Sequence, residues 1–393
     1  MKLDCIVIGS GISGLSAAWK IQQLGKKVLV LESADKIGGC IESVKTNNFI
    51  QEFGAHSGFN SYNYFLSILS KLKQKPQIIP KKNLKFVVLQ NQKISSVLSK
   101  INILQLLVSI VKTPFVNKEN KTVQEYYSLI LGKDNYNNII KHALNAVSSQ
   151  IVDDMPASFL FQKRPKDKTI VRKFSFSGGM IEPLENIAQE LEIKLNSKVD
   201  SLERDNGFWH IKSRDRLWQS KKIIIATPPY IAAELLKTVL PELSDSLVKI
   251  KPAFIESSMV VDVNSRLELC AGIIGVNEKI YSMISSDPVN QEVNLNNATK
   301  RGFTAHFKPN LFTEKQKKNW FVDSILADDN STINIKNKLN SLPQISFDHY
   351  DKIKLVSANL SSNIGLCGNY FQGISIEDCV QRSDAEVSRL FDT

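Results

Sequence analysis

The chain has 393 residues, too many for one small domain, and 42% of them are hydrophobic, which is enough to build a sizeable core. Its formal net charge of +11 suits nucleic acid, anionic lipid or an acidic small molecule as a partner, although lysines also serve solubility alone. The five cysteines are scattered without a C-x-x-C pair, which argues against a disulfide framework or a zinc site and favours a reducing compartment.

The first predicted element is a buried parallel strand at residues 3–8, followed at once by a glycine-rich turn and a helix. In the pattern G-x-G-x-x-G, Gly9 permits a tight turn off the strand and Gly11 lets a phosphate approach the backbone. Gly14 lets the helix pack close to the sheet. This order of strand, turn and helix predicts a dinucleotide-binding unit.

The start of that helix, at Ile12 and Ser13, offers unpaired N–H groups to a pyrophosphate. A second strand at residues 27–31 ends at Glu32, which is followed by Ser33. The Glu32 carboxylate can accept hydrogen bonds from ribose hydroxyls and would repel a 2′-phosphate. We therefore place Glu32 and Ser33 at the ribose of the bound dinucleotide.

Two glycines, Gly38 and Gly39, follow after a short loop. They resemble the glycine pair that continues the nucleotide-binding fingerprint in the amine-oxidase-like FAD superfamily, so the resemblance implies FAD as the cofactor. Many members have arginine where this chain has Cys40, which removes one phosphate contact while the glycines still allow the backbone approach. A redox or covalent flavin role for Cys40 is an alternative.

A second glycine-rich turn contains Gly54, Ala55 and His56. It resembles the loop that lies beside the isoalloxazine in the same superfamily, which implies that these three residues contact the cofactor. His56 is then a candidate for contact with flavin or substrate, and the alternative is an ordinary polar loop histidine.

Residues 62–149 have a mostly helical pattern, interrupted by a predicted hairpin of residues 85–89 and 93–98 with its turn at Asn91 and Gln92. Thr122 begins a capping box that opens a helix. Farther along, the charged residues 163–168 are predicted to form a solvated connector.

Residues 101–112 carry one narrow polar stripe on a wide apolar helix, which ends before Pro114. The apolar run is about half of the roughly 20 residues that span a bilayer, so no transmembrane helix is expected. Periodicity favours a buried core helix, whereas the many lysines upstream favour a helix that lies in a membrane interface. Both interpretations remain open at this stage.

The returning half of the nucleotide-binding fold is predicted from a glycine turn at residues 174–180, a helix at 182–191 and a strand that ends at Ala226, Thr227 and Pro228. The superfamily places the backbone of Val199 against the adenine, and the alternative is that Val199 is plain strand core. These segments follow one another in the order and with the spacing of that superfamily.

The C-terminal segment has a short strand that ends at Gly368 and Asn369, and a helix that opens after Gly373, Ile374 and Ser375. The resemblance implies that this helix N-terminus faces the pyrimidine edge of the flavin, where it would stabilise the negative charge of the reduced cofactor.

The segment from Gly368-Asn369-Tyr370 to Asp378-Cys379 is similar to the protoporphyrinogen oxidase branch of the amine-oxidase-like flavoproteins. The resemblance implies an α/β fold with a discontinuous Rossmann-like FAD-binding domain. We expect that domain at residues 1–60, 172–250 and 355–393, a mostly helical, membrane-associated or core-packed subdomain at 61–171, and an antiparallel-sheet substrate domain of α+β type at 251–354.

The resemblance implies an FAD-dependent oxidase that removes hydrides from protoporphyrinogen IX or coproporphyrinogen III in haem biosynthesis. Some members hold a substrate propionate with an arginine near the position of Phe59, which this chain lacks. The catalytic residues are not predicted, with His56 and Tyr370 as weak candidates. His306 lies in a strand-like run, where a structural role is predicted, and the five histidines show no metal-ligand pattern.

Two other functions fit the same motifs: an amine oxidase or carotenoid-type desaturase, and a flavin-binding membrane adaptor without turnover. Tyr370 and Phe371 could supply the aromatic pair of an amine oxidase. The expected partners are a small-molecule substrate and an anionic membrane, without nucleic acid. The expected location is the cytoplasm, on the inner face of the cell membrane where it is bound peripherally, because no secretory signal is recognised.

Overall fold

The computed structural model describes residues 3–45, 50–214, 216–289, 301–326 and 333–392. The strands are β1 (Leu3–Ile8), β2 (Val28–Leu31), β3 (Ser43–Lys45), β4 (Ile50–Glu52), β5 (Gly58–Phe59), β6 (Ile78–Pro80), β7 (Phe86–Gln90), β8 (Lys93–Ser96), β9 (Lys173–Phe176), β10 (Ile193–Lys194), β11 (Ser201–Asp205), β12 (Phe208–Ser213), β13 (Arg216–Ile225), β14 (Pro252–Val263), β15 (Gly272–Gly275), β16 (Ile280–Ser285), β17 (Arg301–Phe307), β18 (Ile335–Pro343) and β19 (Ile364–Leu366).

The helices are α1 (Ile12–Gln23), α2 (Asn63–Lys71), α3 (Ile103–Ile110), α4 (Val123–Leu131), α5 (Lys133–Asn135), α6 (Lys141–Ser148), α7 (Glu182–Ala188), α8 (Pro229–Leu236), α9 (Pro241–Val248), α10 (Glu314–Ile325), α11 (His349–Ala358) and α12 (Ile376–Phe391). A π-helical turn, Tyr136–Ile140, joins α5 to α6. Within the described ranges, no helix is both long enough and apolar enough to cross a membrane.

The first sheet has the strand order β10-β2-β1-β13-β12-β11, with β19 also paired to β13. Its central strands β2, β1, β13 and β19 are parallel, and they are rich in isoleucine, leucine and valine because both faces are covered. The long strand β13 pairs with β12 through its first half and with β19 through its last residues. The predicted α/β nucleotide-binding architecture, assembled from separated pieces of chain, is confirmed.

The second sheet has the order β18-β14-β17-β16-β15-β7-β8 and is antiparallel except for the β15–β7 pair. Its last two strands, β7 and the edge strand β8, are the predicted hairpin, and Asn91 and Gln92 have positive φ angles at its turn. The hairpin therefore extends the sheet of residues 252–343 rather than standing alone in the helical region.

Helix packing is close where glycine allows it. A Cβ at Gly14 would lie 1.9 Å from the carbonyl oxygen of Gly9, so α1 can approach β1 only with glycine at this position. Helix α1 also packs along α12 from the end of the chain. One layer of helices on the first sheet thus consists of elements from the two ends of the sequence.

The helical region holds α2 to α6, and the Thr122 capping box opens α4 as predicted. The structure overturns the interpretation of residues 101–112 as a buried core helix. Leu104, Leu107 and Val108 of α3 are exposed, whereas Ser109 is buried. Gln105 and Ser109 of the polar stripe face the protein, and the apolar face of the helix points outward.

Candidate functional site: a crevice at the carboxyl ends of the parallel strands

The parallel strands end at one edge of the first sheet, and the glycine turn begins there. Gly9 adopts a φ of +104° and donates its N–H to the carbonyl of Leu31 at 2.8 Å. A Cβ at Gly9 would lie 2.9 Å from the carbonyl oxygen of Ala226. The turn therefore fits tightly between the ends of β2 and β13, at the position where this class of fold binds its ligand.

Gly11 lies where a cradle for a phosphate is expected. No atom of the described residues comes within 4 Å of the position that a Cβ at Gly11 would occupy. The backbone of Gly38 forms an isolated bridge with Gly11 and donates to the carbonyl of Ser10 at 3.1 Å. A Cβ at Gly39 would lie 3.3 Å from the Gly11 Cα, so the two glycine segments pack directly against each other beside this open position.

The N-terminus of α1 opens into this space. Gly11 is its N-cap, no side chain of the described residues caps it, and its first turn, which contains Ile12 and Ser13, has no acidic residue. Its first N–H groups are therefore available to an anion. The open space at Gly11 and the uncapped helix end fit the pyrophosphate of a dinucleotide.

Glu32 is buried and holds the glycine turn to the end of β2. One carboxylate oxygen accepts from the N–H and hydroxyl of Ser10 at 2.8 and 2.7 Å, and the other accepts from Ala34 N at 2.9 Å and from Ser33 Oγ at 3.1 Å. Sequence reasoning placed Glu32 at the ribose but missed Ser10. The N–H groups of Ser10 and Ala34 belong to the backbone and stay in place. Ribose hydroxyls can therefore replace only the Ser10 and Ser33 hydroxyls as donors to Glu32.

The returning segment closes the crevice. Ala226 N donates to the carbonyl of Ile8 at 2.8 Å, which brings Thr227 and Pro228, both partly buried, next to the glycine turn. Val199 is buried in the core on this side of the sheet. Ser197 N donates to the carbonyl of Glu32 at 2.7 Å, so the segment that carries Val199 lies beside the acidic residue.

The loop that carries Gly54 and Ala55 packs on the second glycine pair. A Cβ at Gly54 would lie 2.1 Å from the carbonyl oxygen of Cys40, and this close contact brings His56 to the crevice. Burial raises the pKa of the Cys40 thiol, which disfavours the thiolate that redox or covalent chemistry requires.

His56 and His306 form a hydrogen-bonded pair in this crevice. Their Nε2 atoms are 3.0 Å apart, and His306 Nδ1 lies 2.9 Å from Ser257 Oγ. Burial lowers the pKa of His56 well below its usual value and the pKa of His306 to about 4. Both rings are therefore neutral at pH 7, and one proton is shared between the two Nε2 atoms.

The structure places His306 in strand β17, as its strand-like run predicted, and also pairs it with His56; the predicted structural role stays a prediction. The partner of His306 is 250 residues away along the chain, so no local pattern connects the two histidines. Strand β17 delivers His306 from the second sheet, and the loop after β4 delivers His56.

Two lysines lie beside the histidine pair. Lys81 Nζ donates to the carbonyl of His56 at 2.7 Å, and Lys173 is the cross-strand partner of Phe59 in the β5–β9 pair. Burial and the nearby Lys173 lower the pKa of Lys81 to about 7. Burial raises the pKa of Glu52 to about 7, although Ser43 and Met180 N donate to its carboxylate.

Tyr370 is fully buried and packs its ring over Gly368, where a Cβ would lie 2.4 Å from the ring. It contacts Phe371 with ring centroids 4.6 Å apart. Its hydroxyl, His349 Nδ1 and Gln372 Oε1 are buried and have no hydrogen-bond partner among the described residues. Three polar atoms without partners at one turn are consistent with a ligand near the turn, and Tyr370 itself has the position of a packing residue.

The helix that follows this turn is anchored from another part of the chain. Ser375 is its N-cap, and the Asp378 carboxylate accepts from Ser375 N at 3.0 Å. Arg164 forms an ion pair with Asp378, and a Cβ at Gly373 would lie 2.3 Å from Asp378 Oδ2. The prediction of a wholly solvated connector at residues 163–168 is therefore wrong for Arg164, which is mostly buried.

Asn369 and Ile374 lie in the same turn, partly buried, next to these anchors. Glu377 accepts from the N–H groups of Tyr64 and Phe65 at 3.0 and 3.1 Å and so caps the start of α2. Glu377 and Asp378 place two carboxylates in the first turn of α12. The stabilisation of reduced flavin by this helix N-terminus therefore stays a prediction.

Comparison with known proteins agrees with this geometry. Residues 7–72 match the family described as "NAD(P)-binding Rossmann-like domain". The chain is 46% identical over 66 residues, 17% of its length, to "Possible lysine-specific histone demethylase 1" of Drosophila melanogaster, of which the match covers 7%. The chain is also 24% identical over 267 residues to protoporphyrinogen oxidase 2 of Arabidopsis thaliana, covering 54% of this chain and 52% of that protein.

Among solved structures, a proposed protoporphyrinogen oxidase from Exiguobacterium sp. 255-15 superposes with a TM-score of 0.80 and 14% identity, covering 99% of this chain and 98% of that one. Solved amine oxidases have the same fold. The predicted likeness to the amine-oxidase-like flavoproteins is confirmed in the fold, and the predicted dinucleotide-binding domain is present.

Proposed function

We propose that this chain, an FAD-dependent oxidoreductase in fold and cofactor class, oxidises a porphyrinogen to the porphyrin as in haem biosynthesis. Protoporphyrinogen IX and coproporphyrinogen III are the two candidate substrates. Support comes from the superposition over 99% of the chain on a proposed protoporphyrinogen oxidase and from the long alignment with the plant enzyme of that name. The bound FAD would supply the two-electron oxidation.

The proposed class of substrate is inferred from the pairing of Lys173 with Phe59. A porphyrinogen is an apolar macrocycle with carboxylate tails, and it needs a cation beside an apolar wall. Phe59 is exposed, and the cation missing at its own position is supplied by Lys173 directly across the strand pair. Lys81 contacts the same loop through the carbonyl of His56 and adds a second positive charge in its protonated form.

The depressed pKa values of Lys81 and Lys173 support an anionic ligand. Burial lowers the pKa of both lysines, and Lys173 adds like-charge repulsion to Lys81. A bound carboxylate would relieve that repulsion and raise both pKa values. A protonated amine would instead add a third positive charge, so these lysines disfavour the substrate of an amine oxidase.

The histidine pair would handle protons released by the substrate. When a hydride leaves a bridging carbon of a porphyrinogen, a pyrrole N–H must also lose its proton. In the tautomer in which His56 Nε2 donates to His306 Nε2, His56 Nδ1 can accept that proton, the hydrogen bond of 3.0 Å shares the charge with His306, and His56 Nδ1 then releases the proton to bulk water. The low pKa values keep the relay from holding a charge.

Steady-state oxidation of both porphyrinogens, followed by porphyrin fluorescence, tests the proposal. Lys173→Met is expected to raise KM roughly 10-fold, with a larger increase for coproporphyrinogen III because it carries more carboxylates. The matched control is Lys249→Met, an exposed lysine on the far end of α9. Oxidation of neither porphyrinogen by FAD-loaded protein would overturn the proposal, and an unchanged KM in Lys173→Met would remove its structural basis.

A further inference from the structure

Strand β18, an edge strand of the second sheet, lies against the second glycine pair of the nucleotide-binding half. Its Lys338 donates through Nζ to the carbonyl oxygen of Gly39 at 2.8 Å, across a sequence separation of 299 residues. Farther along the same strand, the carbonyl oxygen of Ser341 accepts from Cys40 Sγ at 3.9 Å. The second sheet therefore brings a cation to the glycine pair that packs beside the open position at Gly11.

The contact with Lys338 fixes the direction of the peptide group between Gly39 and Cys40. This peptide bond is planar and trans, so its N–H points away from its carbonyl oxygen. Because the oxygen of Gly39 is turned toward Lys338, the N–H of Cys40 points to the opposite side of the group. Neither the N–H of Gly39 nor that of Cys40 has a hydrogen-bond partner among the described residues. Two backbone donors next to Gly11 are thus free for a ligand.

The charged groups at this turn add up to one positive charge. Glu42 accepts from Lys338 at 2.7 Å and from Lys36 at 2.6 Å, so two cations share one carboxylate. Burial alone would raise the pKa of Glu42, but the hydrogen bonds from the two lysines lower it below its usual value, and the carboxylate is ionised at pH 7. The side chain of Lys338 is 19% exposed and that of Lys36 is 62% exposed, so water screens the charge of Lys338 less.

The charge of Lys338 extends to the side of the turn that Cys40 occupies. Burial raises the pKa of the Cys40 thiol, and the positive charge of Lys338 acts on it in the opposite direction. An anion bound beside Gly39 would feel the same attraction, because the Coulomb energy falls only with the inverse of the distance. The pyrophosphate of a dinucleotide is such an anion, and it needs both N–H donors and a compensating positive charge.

We propose that Lys338 is a nucleotide-binding residue that acts on the pyrophosphate of FAD in two ways. Its hydrogen bond to Gly39 holds the following peptide group with the N–H of Cys40 free for a phosphate oxygen. Its positive charge attracts the phosphates across the glycine pair. The nucleotide site is thus completed by a strand of the second sheet. This assignment concerns the cofactor alone and stands whichever substrate the protein oxidises.

Titration of the full-length protein, freed of its cofactor, with FAD tests the proposal. Lys338→Met is expected to weaken FAD binding roughly 10-fold at about 0.05 M salt, because a cation and a hydrogen bond are lost. The difference should narrow to roughly 2-fold at about 1 M salt, where the charge is screened. Lys338→Arg keeps both the charge and a donor, and its affinity for FAD should stay within roughly 3-fold of that of the unaltered protein.

Lys336→Met is the matched control. Lys336 lies two residues earlier on the same face of β18 and is exposed. The affinity of this variant for FAD should stay within roughly 2-fold of that of the unaltered protein at both salt concentrations.

Glu42→Gln separates the charge of Lys338 from its ion pair. This variant breaks the same ion pair as Lys338→Met does, but it leaves the turn more positive. We expect FAD binding to Glu42→Gln to be unchanged or up to roughly 3-fold tighter at low salt.

Three outcomes would overturn the proposal. They are equal FAD affinities of Lys338→Met and Lys336→Met at low salt, a loss in Lys338→Met that is the same at both salt concentrations, and weakened FAD binding by Glu42→Gln. The last result would mean that the ion pair serves only the packing of the second sheet on the glycine pair. Circular dichroism of each variant shows whether it is folded, and the Glu42→Gln titration decides alone where Lys338→Met does not fold.

Discussion

His56 Nε2 and His306 Nε2 lie 3.0 Å apart, and no carboxylate in the described part of the chain forms a hydrogen bond with either atom. The pair joins a loop of the nucleotide-binding half to strand β17 of the second sheet. Because burial keeps both rings neutral, a single proton links two parts of the chain that are 250 residues apart. The stability of the fold should therefore respond to the protonation of this pair.

The pH dependence of stability tests the burial of His306. Its pKa is about 4 in the folded protein and near 6.5 when unfolded, so the unfolded state binds more protons between those values. The contribution of His306 to stability is thus present above about pH 6.5 and is lost as the pH falls toward 4. Glu52 acts in the opposite sense between about pH 4.5 and 7, because its pKa is raised.

The contribution of His306 is therefore measured by comparing the pH dependence of stability of the His306→Gln variant with that of the unaltered protein. We expect the unfolding free energy of His306→Gln to fall less steeply than that of the unaltered protein between about pH 6.5 and 4. Urea unfolding at several pH values checks this. Parallel curves for the two proteins would mean that His306 titrates normally in the folded state.

Gly11 and Gly14 should separate cofactor binding from folding. Gly11→Ala puts a methyl group into open space and should cost about 1 kcal/mol as an N-cap change, while FAD affinity falls roughly 100-fold. Gly14→Ala places a Cβ 1.9 Å from the Gly9 carbonyl oxygen and should destabilise the apoprotein itself by about 3 kcal/mol or more. Calorimetric melting of apoprotein and FAD titration measure the two effects.

An apoprotein of Gly11→Ala that binds FAD as tightly as the unaltered chain would contradict the location of the pyrophosphate. A Gly14→Ala protein as stable as the unaltered one would contradict the close packing of α1 on β1.

Arg164 should stabilise the entry to α12. Arg164→Met leaves the Asp378 carboxylate mostly buried without its cation, so we expect a loss of about 2 to 3 kcal/mol in the free energy of unfolding. Lys166→Met, two residues on and exposed, serves as the control and should change stability by less than about 0.5 kcal/mol. Denaturant unfolding measures the stability of both variants. Equal stabilities of the Arg164→Met and Lys166→Met variants would show that the ion pair contributes nothing.

Much of the nucleotide-binding half could be predicted because its signals are local. The turn at Gly9 to Gly14, the strand ending at Glu32 and the helix opening at Ser375 each need only a few neighbouring residues to be recognised. Their positions agree with the structure, although their contacts with FAD stay predictions. The hairpin turn at Asn91 and Gln92 was predictable for the same reason.

Contacts between distant segments could not be predicted. The partners of His306, Arg164 and Ser10 are fixed by how the sheets and loops assemble, and one sequence carries no signal for that assembly. The direction of α3 was open for a related reason. Periodicity shows that a helix has two unlike faces, but only the fit of Gln105 against Gly132 decides which face turns inward.

Anaerobic mixing of the FAD-loaded protein with each substrate tests the central claim most directly. We predict that protoporphyrinogen IX or coproporphyrinogen III bleaches the visible flavin absorbance within a single turnover, whereas putrescine and other amines leave it unchanged. Porphyrin fluorescence should follow once oxygen is admitted. Bleaching by amines alone, or by neither class of compound, would contradict the account.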